Sequence, residues 1–124
     1  MWKFDVRLSD AGGAWRWSHG RWRAGASTIT PLAHPAVEAF LLADGRRRMF
    51  VARERLTGQS PPVSGRVSPG EYDAARSAVA VWPGEASTVE TRPGRIEVTA
   101  GRWGTAPLYL QATSEVLRGS WDIT

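Results

Sequence analysis

The sequence predicts a mainly β (α+β) domain in which two antiparallel sheets pack on each other, with one short helix. Three observations predict this fold class. Apolar and polar residues alternate in short stretches from the N-terminus onward, as in strands with one buried face. Turn signals recur every eight to twelve residues or so, which is typical of β-sandwiches, and they separate about eight strands. Only one stretch combines a helix start signal with helical spacing and a stop signal.

The first predicted element is a half-buried strand over residues 2–8, because its apolar and charged residues alternate strictly. A glycine-containing turn at 10–13 follows, and a second strand begins with the Trp-Arg-Trp triplet at 15–17. We expect these two strands to form a hairpin at the N-terminus. Residues 18–20 predict a tight turn, after which 21–23 continue as a strand.

A middle hairpin is predicted around Asp44-Gly45. Residues 36–42 are apolar but too few for their pattern alone to separate a helix from a buried strand. The Asp-Gly pair tolerates the positive φ angles of a hairpin turn, and residues 49–52 are again apolar. We therefore favour strand, turn and strand here.

The predicted helix covers residues 69–81. Ser68 is placed to cap its N-terminus, Pro69 suits the first helical position, and the Trp-Pro-Gly sequence at 82–84 ends it. A further hairpin is expected beyond the helix, with its turn at Pro93-Gly94.

The most informative stretch lies near the C-terminus. Residues 100–110 read Ala-Gly-Arg-Trp-Gly-Thr-Ala-Pro-Leu-Tyr-Leu, and 119–122 read Gly-Ser-Trp-Asp. Gly104 allows a sharp turn, and Pro107 opens a strand that a second strand from 116 onward pairs with. This pattern resembles the closing hairpin of the glutaminase-like N-terminal domain in the asparagine synthetase family. In that family, a G-T/I-x-P-L-Y strand is followed by a strand that ends in a short Ser-acidic motif.

The resemblance implies a reduced form of the layered sandwich of N-terminal-nucleophile glutaminases. Residues 1–124 would then be a single glutaminase-like domain, either free-standing or cut shortly before a synthetase domain. The family's glutaminase activity uses a cysteine exposed as the first residue after methionine removal. Here Trp2 occupies that position, and the chain has no cysteine. The resemblance is therefore closer to members that lost the site, as β-lactam synthetases and lasso-peptide cyclases have done.

The function expected from this resemblance is a non-catalytic domain that packs on, or shapes, an ATP-dependent amide- or lactam-forming synthetase partner. No cofactor or metal is expected. His19 and His34 both stand beside turn residues, so we predict a surface or turn-capping role for them. The sequence leaves open whether the chain is an enzyme by itself, and the missing nucleophile argues against it.

The alternative is a stand-alone β-rich binding module. Seven tryptophans are many for 124 residues. We expect Trp2 and Trp121 in the core, whereas the Trp15, Trp17 and Trp22 group fits core packing and a stacking surface equally well. With nearby arginines, such a surface would bind a carbohydrate, a peptide or a nucleic acid. The candidate ligand- or partner-binding residues are Trp15, Trp17, Arg21, Trp22, Arg102, Trp103 and Tyr109.

The charge and composition of the chain limit the partners and the cellular compartment that we expect. The net charge of +4, spread over a whole domain, is a weak field and argues against nucleic acid. No apolar run approaches the ~20 residues of a transmembrane helix, and the N-terminus lacks a signal peptide's apolar core. With no cysteines, these features predict a cytoplasmic protein. An uncovered edge at the last strand would favour self-association.

Overall fold

Two β-sheets and one α-helix account for most of the chain in a computed structural model that describes residues 2–57, 64–99 and 109–120. For residues 109–112 and 120, the description is limited to the backbone. Strands predominate among the described residues, which confirms the predicted mainly β fold class with two sheets and one helix. The strands are β1 (Trp2–Arg7), β2 (Arg16–Ser18), β3 (Arg21–Ala24), β4 (Ser27–Pro31), β5 (Val37–Ala43), β6 (Arg48–Glu54), β7 (Gly65–Arg66), β8 (Ala86–Arg92), β9 (Arg95–Thr99), β10 (Tyr109–Ala112) and β11 (Val116–Ser120).

The strands divide into a six-stranded sheet and a five-stranded sheet. The six-stranded sheet has the order β10-β11-β1-β4-β3-β2, and the five-stranded sheet has the order β7-β5-β6-β8-β9. All neighbouring strands are antiparallel except β5 and the two-residue β7, which are parallel. The N-terminal strand β1 therefore lies in the interior of its sheet, between β4 and the last strand β11.

The main core lies between the two sheets. Every second side chain of β1 points inward, as its alternating sequence predicts. Burial of such large apolar side chains contributes about 1.5–3 kcal/mol each. The buried residues of this core are Trp2, Phe4, Val6, Trp22 and Ile29 from the six-stranded sheet and Phe50, Ala52 and Val89 from the five-stranded sheet. Gly119 lies opposite Phe4 on β11, where a Cβ atom would clash with the Phe4 ring.

The helix α1 (Pro69–Ala80) packs on the other face of the five-stranded sheet. Its Tyr72 is fully buried against a second cluster formed by Phe40, Leu42, Met49 and Val51. Strand β6 is thus covered on both faces, which accounts for its continuous apolar run. As predicted, Ser68 caps the helix and accepts a hydrogen bond from the Glu71 amide at 3.2 Å. Among the described residues, no helix has the length and apolar character needed to cross a membrane.

The predicted N-terminal hairpin is wrong. Strand β1 pairs with β4 and β11, whereas β2 pairs with β3. A short hydrogen-bonded chain explains the pairing with β4, because the Ser27 hydroxyl accepts from the Arg7 amide at 2.8 Å and donates to Asp10 at 2.6 Å. These bonds tie the end of β1 and the following turn to the start of β4. The turn at 10–13 leads away from β1 and does not reverse the chain onto it.

The other predicted hairpins are confirmed. Strands β5 and β6 flank a turn in which Gly45 has φ 93° and the Asp44 carboxylate accepts from the Arg47 amide at 2.7 Å. Strands β8 and β9 join through Pro93-Gly94, with Gly94 at φ 74°. In the closing hairpin, β10 pairs with β11. The predictions for Gly104, Pro107, Trp121 and the Ser-acidic end of the motif lie outside the described residues.

Candidate functional site

The tryptophans predicted as a binding group lie at one edge of the sandwich. Trp17 on edge strand β2 is opposite Trp22 on β3, with ring centroids 4.5 Å apart in an edge-to-face arrangement. Trp22 is 7% exposed and also contacts Phe50 at 5.3 Å, so it belongs to the core. Trp17 is 55% exposed and therefore presents its indole to solvent while resting on Trp22.

Trp15 precedes β2 and completes this aromatic edge, which we define as Trp15, Trp17 and Trp22. Its half-buried ring packs edge-on against Phe50 at 5.0 Å. The Trp15 Nε1 atom is buried and has no hydrogen-bond partner among the described residues. A buried N–H without an acceptor costs free energy, so packing rather than hydrogen bonding holds this ring.

The indoles and the guanidinium groups of this region lie on opposite sides of the six-stranded sheet. Successive side chains of a strand point to opposite faces. Trp22 points into the core, and its neighbours Arg21 and Arg23 therefore point outward. The structure brings Trp15, Trp17 and Trp22 together and separates them from Arg21. Of the remaining candidates, Arg102 and Trp103 lie outside the described residues, and for Tyr109 only the backbone is described, in β10.

The position that the resemblance assigns to a nucleophile holds a core residue. Trp2 is 2% exposed, and its ring lies 6.3 Å from that of Trp22. Its indole Nε1 donates a hydrogen bond to the Ser87 hydroxyl on β8 at 2.9 Å. This buried bond joins the first strand of one sheet to the other sheet, as expected for a core tryptophan.

A second surface, which the sequence did not predict, is the outer side of the six-stranded sheet. We define this basic face by its charged residues, which are Lys3, Arg7, Arg16, Arg21, Arg23, Arg118 and a single acid, Asp5. The expectation that the net charge is spread over the domain is therefore wrong. Strand alternation indicates an outward direction for each residue, but only the strand order shows that they share one face.

On the helix side, polar side chains form a network that fastens α1 to the five-stranded sheet. The Tyr72 hydroxyl donates to Glu90 at 2.9 Å, and Arg76 donates to the same carboxylate at 2.9 Å. Burial, together with the charge of Glu90, raises the pKa of Tyr72 above its usual value. The Arg47 guanidinium lies 4.2 Å from the Tyr72 ring centre and bonds to Asp73 at 2.7 Å.

Arg47 also bonds to Asp44, which organises the β5–β6 turn. Burial alone would raise the pKa of the Asp44 carboxyl. The backbone amides of Arg47 and Arg46 and the Arg47 side chain outweigh this effect and hold the pKa below its usual value. The hydrogen bond to Asp73 has the opposite effect on Arg47 and raises the pKa of its guanidinium group. Each charge of this network thus has a partner within the fold.

Both histidines occupy turns, as predicted. The His34 Nδ1 atom accepts from the Ala36 amide at 3.0 Å, and His19 adopts φ 52° next to Gly20. Within residues 2–57, 64–99 and 109–120, no three histidine or acidic side chains are placed to hold a metal ion together.

Comparison of the chain with protein-family models, curated proteins and solved structures gives no match in any of the three.

Proposed function

We propose that this chain is a non-catalytic glutaminase-like domain that packs on an ATP-dependent amide- or lactam-forming synthetase and shapes its substrate entrance. The observation that carries the proposal is the burial of Trp2, which is 2% exposed. The closing hairpin resembles the family, the two stacked sheets agree with the fold that the resemblance implies, and the family's catalytic position is part of the core.

The surroundings of Trp2 support a lost active site. An N-terminal nucleophile has to reach the substrate amide, whereas the Trp2 indole packs on Trp22 and bonds to Ser87 between the sheets. The indole offers no nucleophilic atom, and the chain has no cysteine that could replace it. Truncating a buried tryptophan costs about 3–5 kcal/mol, so a smaller residue at position 2 would destabilise the domain.

Two measurements test this proposal. The purified chain, incubated with glutamine, should release no glutamate above a heat-treated control. Mixed with a purified ATP-dependent synthetase domain of the asparagine synthetase family, the chain should form a complex that light scattering after gel filtration detects. Glutamate release that scales with protein and survives repurification would contradict the non-catalytic assignment, and the absence of any complex would contradict the partner role.

A second candidate function, a stand-alone module that binds a carbohydrate or peptide, is favoured by one observation. Trp17 is an exposed indole held in a fixed orientation by Trp22, and such a ring is a preformed stacking platform. Acrylamide should quench Trp17 fluorescence efficiently in wild type, and Trp17→Ala should remove that component. A change of fluorescence with cello- or malto-oligosaccharides that Trp17→Ala abolishes would support this function over the first.

A further inference from the structure

The basic face is arranged in rows that cross the six-stranded sheet. The strand register places Arg118, Asp5, Thr28, Arg23 and Arg16 side by side on five successive strands. Because neighbouring strands are about 4.8 Å apart, this row is roughly 19 Å long. A parallel row brings Lys3 opposite Thr30, and the β3–β4 register places Arg21 on the other side of Thr30.

The charges of the basic face are mostly uncompensated. Arg118 bonds to Asp5 at 3.1 Å. The other five cations, Lys3, Arg7, Arg16, Arg21 and Arg23, make no side-chain hydrogen bond or ion pair with any described residue. Six cations and one anion give this face a net charge of +5, whereas the whole chain has +4. The rest of the chain therefore has a net charge of −1.

One pair of arginines destabilises the six-stranded sheet. Arg16 and Arg23 are directly opposite on β2 and β3, both exposed, with no acid between them. Like charges placed directly opposite destabilise a sheet. This repulsion does not favour the isolated fold, and an anionic surface that covers the basic face would relieve it.

The basic face suits an acidic protein surface better than a nucleic acid. Proteins that bind single strands without sequence preference supply aromatic rings for base stacking, and the rings of Trp17 and Trp22 point to the opposite side of this sheet. Asp5 is second in the row and is paired with Arg118, so it leaves the charges of the other five cations uncompensated. Thr28 and Thr30 add hydroxyl groups that bind carboxylates.

We propose that the basic face is the docking surface for the synthetase partner and that the partner covers it with an acidic patch. This inference rests on the proposed function and adds the contact surface and the charge of the partner. Exposed charge pairs of this kind accelerate association and make it sensitive to salt. Because Arg16 and Arg23 are exposed, replacing them leaves the fold intact.

The experiment measures the dissociation constant of the full chain and the same purified synthetase domain at 50 mM and 500 mM NaCl. The test variant is Arg16→Gln/Arg23→Gln. The matched control is Arg46→Gln/Arg55→Gln, which removes the same charge from exposed arginines near the ends of β6. We expect the test variant to bind three- to tenfold or so more weakly than wild type at 50 mM, and the control to bind like wild type. High salt should remove the difference.

The outcomes separate this inference from the function it rests on. No complex with wild type at either salt concentration contradicts the proposed function. A salt-insensitive complex that the test variant and the control form equally well leaves the proposed function in place and overturns the docking surface. A second arm compares a 20-residue poly-glutamate peptide with a 20-nucleotide oligo-dT. Tighter binding of oligo-dT, lost in the test variant alone, would make the basic face a nucleic-acid site and overturn the inference.

Discussion

Two arginine-rich segments have different environments in this fold. In the segment that runs from 46 to 55, Arg47 bonds to Asp44 and Asp73, both at 2.7 Å. Arg53 in the same segment bonds to Glu38 at 2.7 Å, and its guanidinium lies 3.8 Å from the Trp82 ring centre. In the segment that runs from 16 to 23, no arginine has a partner among the described residues.

The arginines with ion pairs, Arg47 and Arg53, stabilise the fold, whereas the exposed arginines between 16 and 23 contribute little to its stability. A buried guanidinium needs a carboxylate and a close fit, and Arg53, which is 7% exposed, has both. An exposed guanidinium without a partner contributes little to stability. The following predictions test this comparison by changing one segment at a time.

The largest effect is expected at Arg53. In Arg53→Ala, the carboxylate of Glu38 stays partly buried without its partner, and the ring of Trp82 loses its cation. The free energy of unfolding should fall by about 3–5 kcal/mol, as for other broken buried pairs. Urea denaturation monitored by circular dichroism measures this free energy. The control is Arg23→Ala, whose free energy of unfolding should lie within about 0.5 kcal/mol of wild type. Equal losses in the two variants would remove the distinction between the segments.

Asp44→Asn should have the next largest effect, because the side chain accepts from two backbone amides and from Arg47. We expect a loss of about 1–3 kcal/mol at pH 7. The pKa of Asp44 is lowered in the folded state, so its stabilisation is present above the unfolded value near 3.9 and is lost as the pH falls through the folded value. Urea midpoints of wild type and variant should therefore converge in strong acid. If the difference between the two urea midpoints stays constant from pH 7 to pH 2, the charge of Asp44 is not the cause of the lost stability.

Tyr72→Phe removes one hydrogen bond to Glu90 and keeps the buried ring. We expect a loss of about 0.5–1.5 kcal/mol at pH 7. Because the pKa of Tyr72 is raised in the folded state, its contribution is complete below the unfolded value of about 10 and decreases at higher pH. Wild type should consequently lose more stability than the variant between pH 9 and pH 11. If wild type and Tyr72→Phe lose the same stability between pH 9 and pH 11, a group other than Tyr72 causes the loss.

The smallest effect is expected for the exposed pair Arg16 and Arg23. Arg23→Gln relieves the repulsion across β2 and β3, so its free energy of unfolding should equal that of wild type or exceed it by up to about 0.5 kcal/mol. Arg23→Lys keeps the charge and should match wild type. In 1 M NaCl, screening should remove any gain. A clear loss of stability in Arg23→Gln at low salt would mean that Arg23 supports the fold.

The sequence predicts the strands and the helix better than it predicts which strands pair. The strand at β1, the β5–β6 and β8–β9 hairpins and the Ser68-capped helix follow from alternation, turn residues and capping, which are local properties. The partners of β1 could not be predicted, because the pairing with β11 joins Lys3 to Ser120, and no local pattern specifies such a contact.

The same reason limited the prediction of the site. The sequence predicts Trp2 in the core, where it lies, but it does not assign the Trp15, Trp17 and Trp22 group, because one hairpin contributes both a core ring and a surface ring. The basic face was missed because its charges come from β1, β2, β3 and β11. They meet only through the order of strands in the sheet. Arg21 and Trp22 are neighbours in sequence and lie on opposite faces.

The position of β1 between β4 and β11 has a consequence for the way this chain is made. The bond from Arg118 to Asp5 spans 113 residues, so β1 is synthesised long before its second neighbour β11. During synthesis, β1 presents an open hydrogen-bonding edge and the unpacked Phe4 ring beside the place of Gly119. Such an edge is where nascent chains aggregate or exchange strands. One edge of β1 therefore stays open until the residues of β11 have been synthesised.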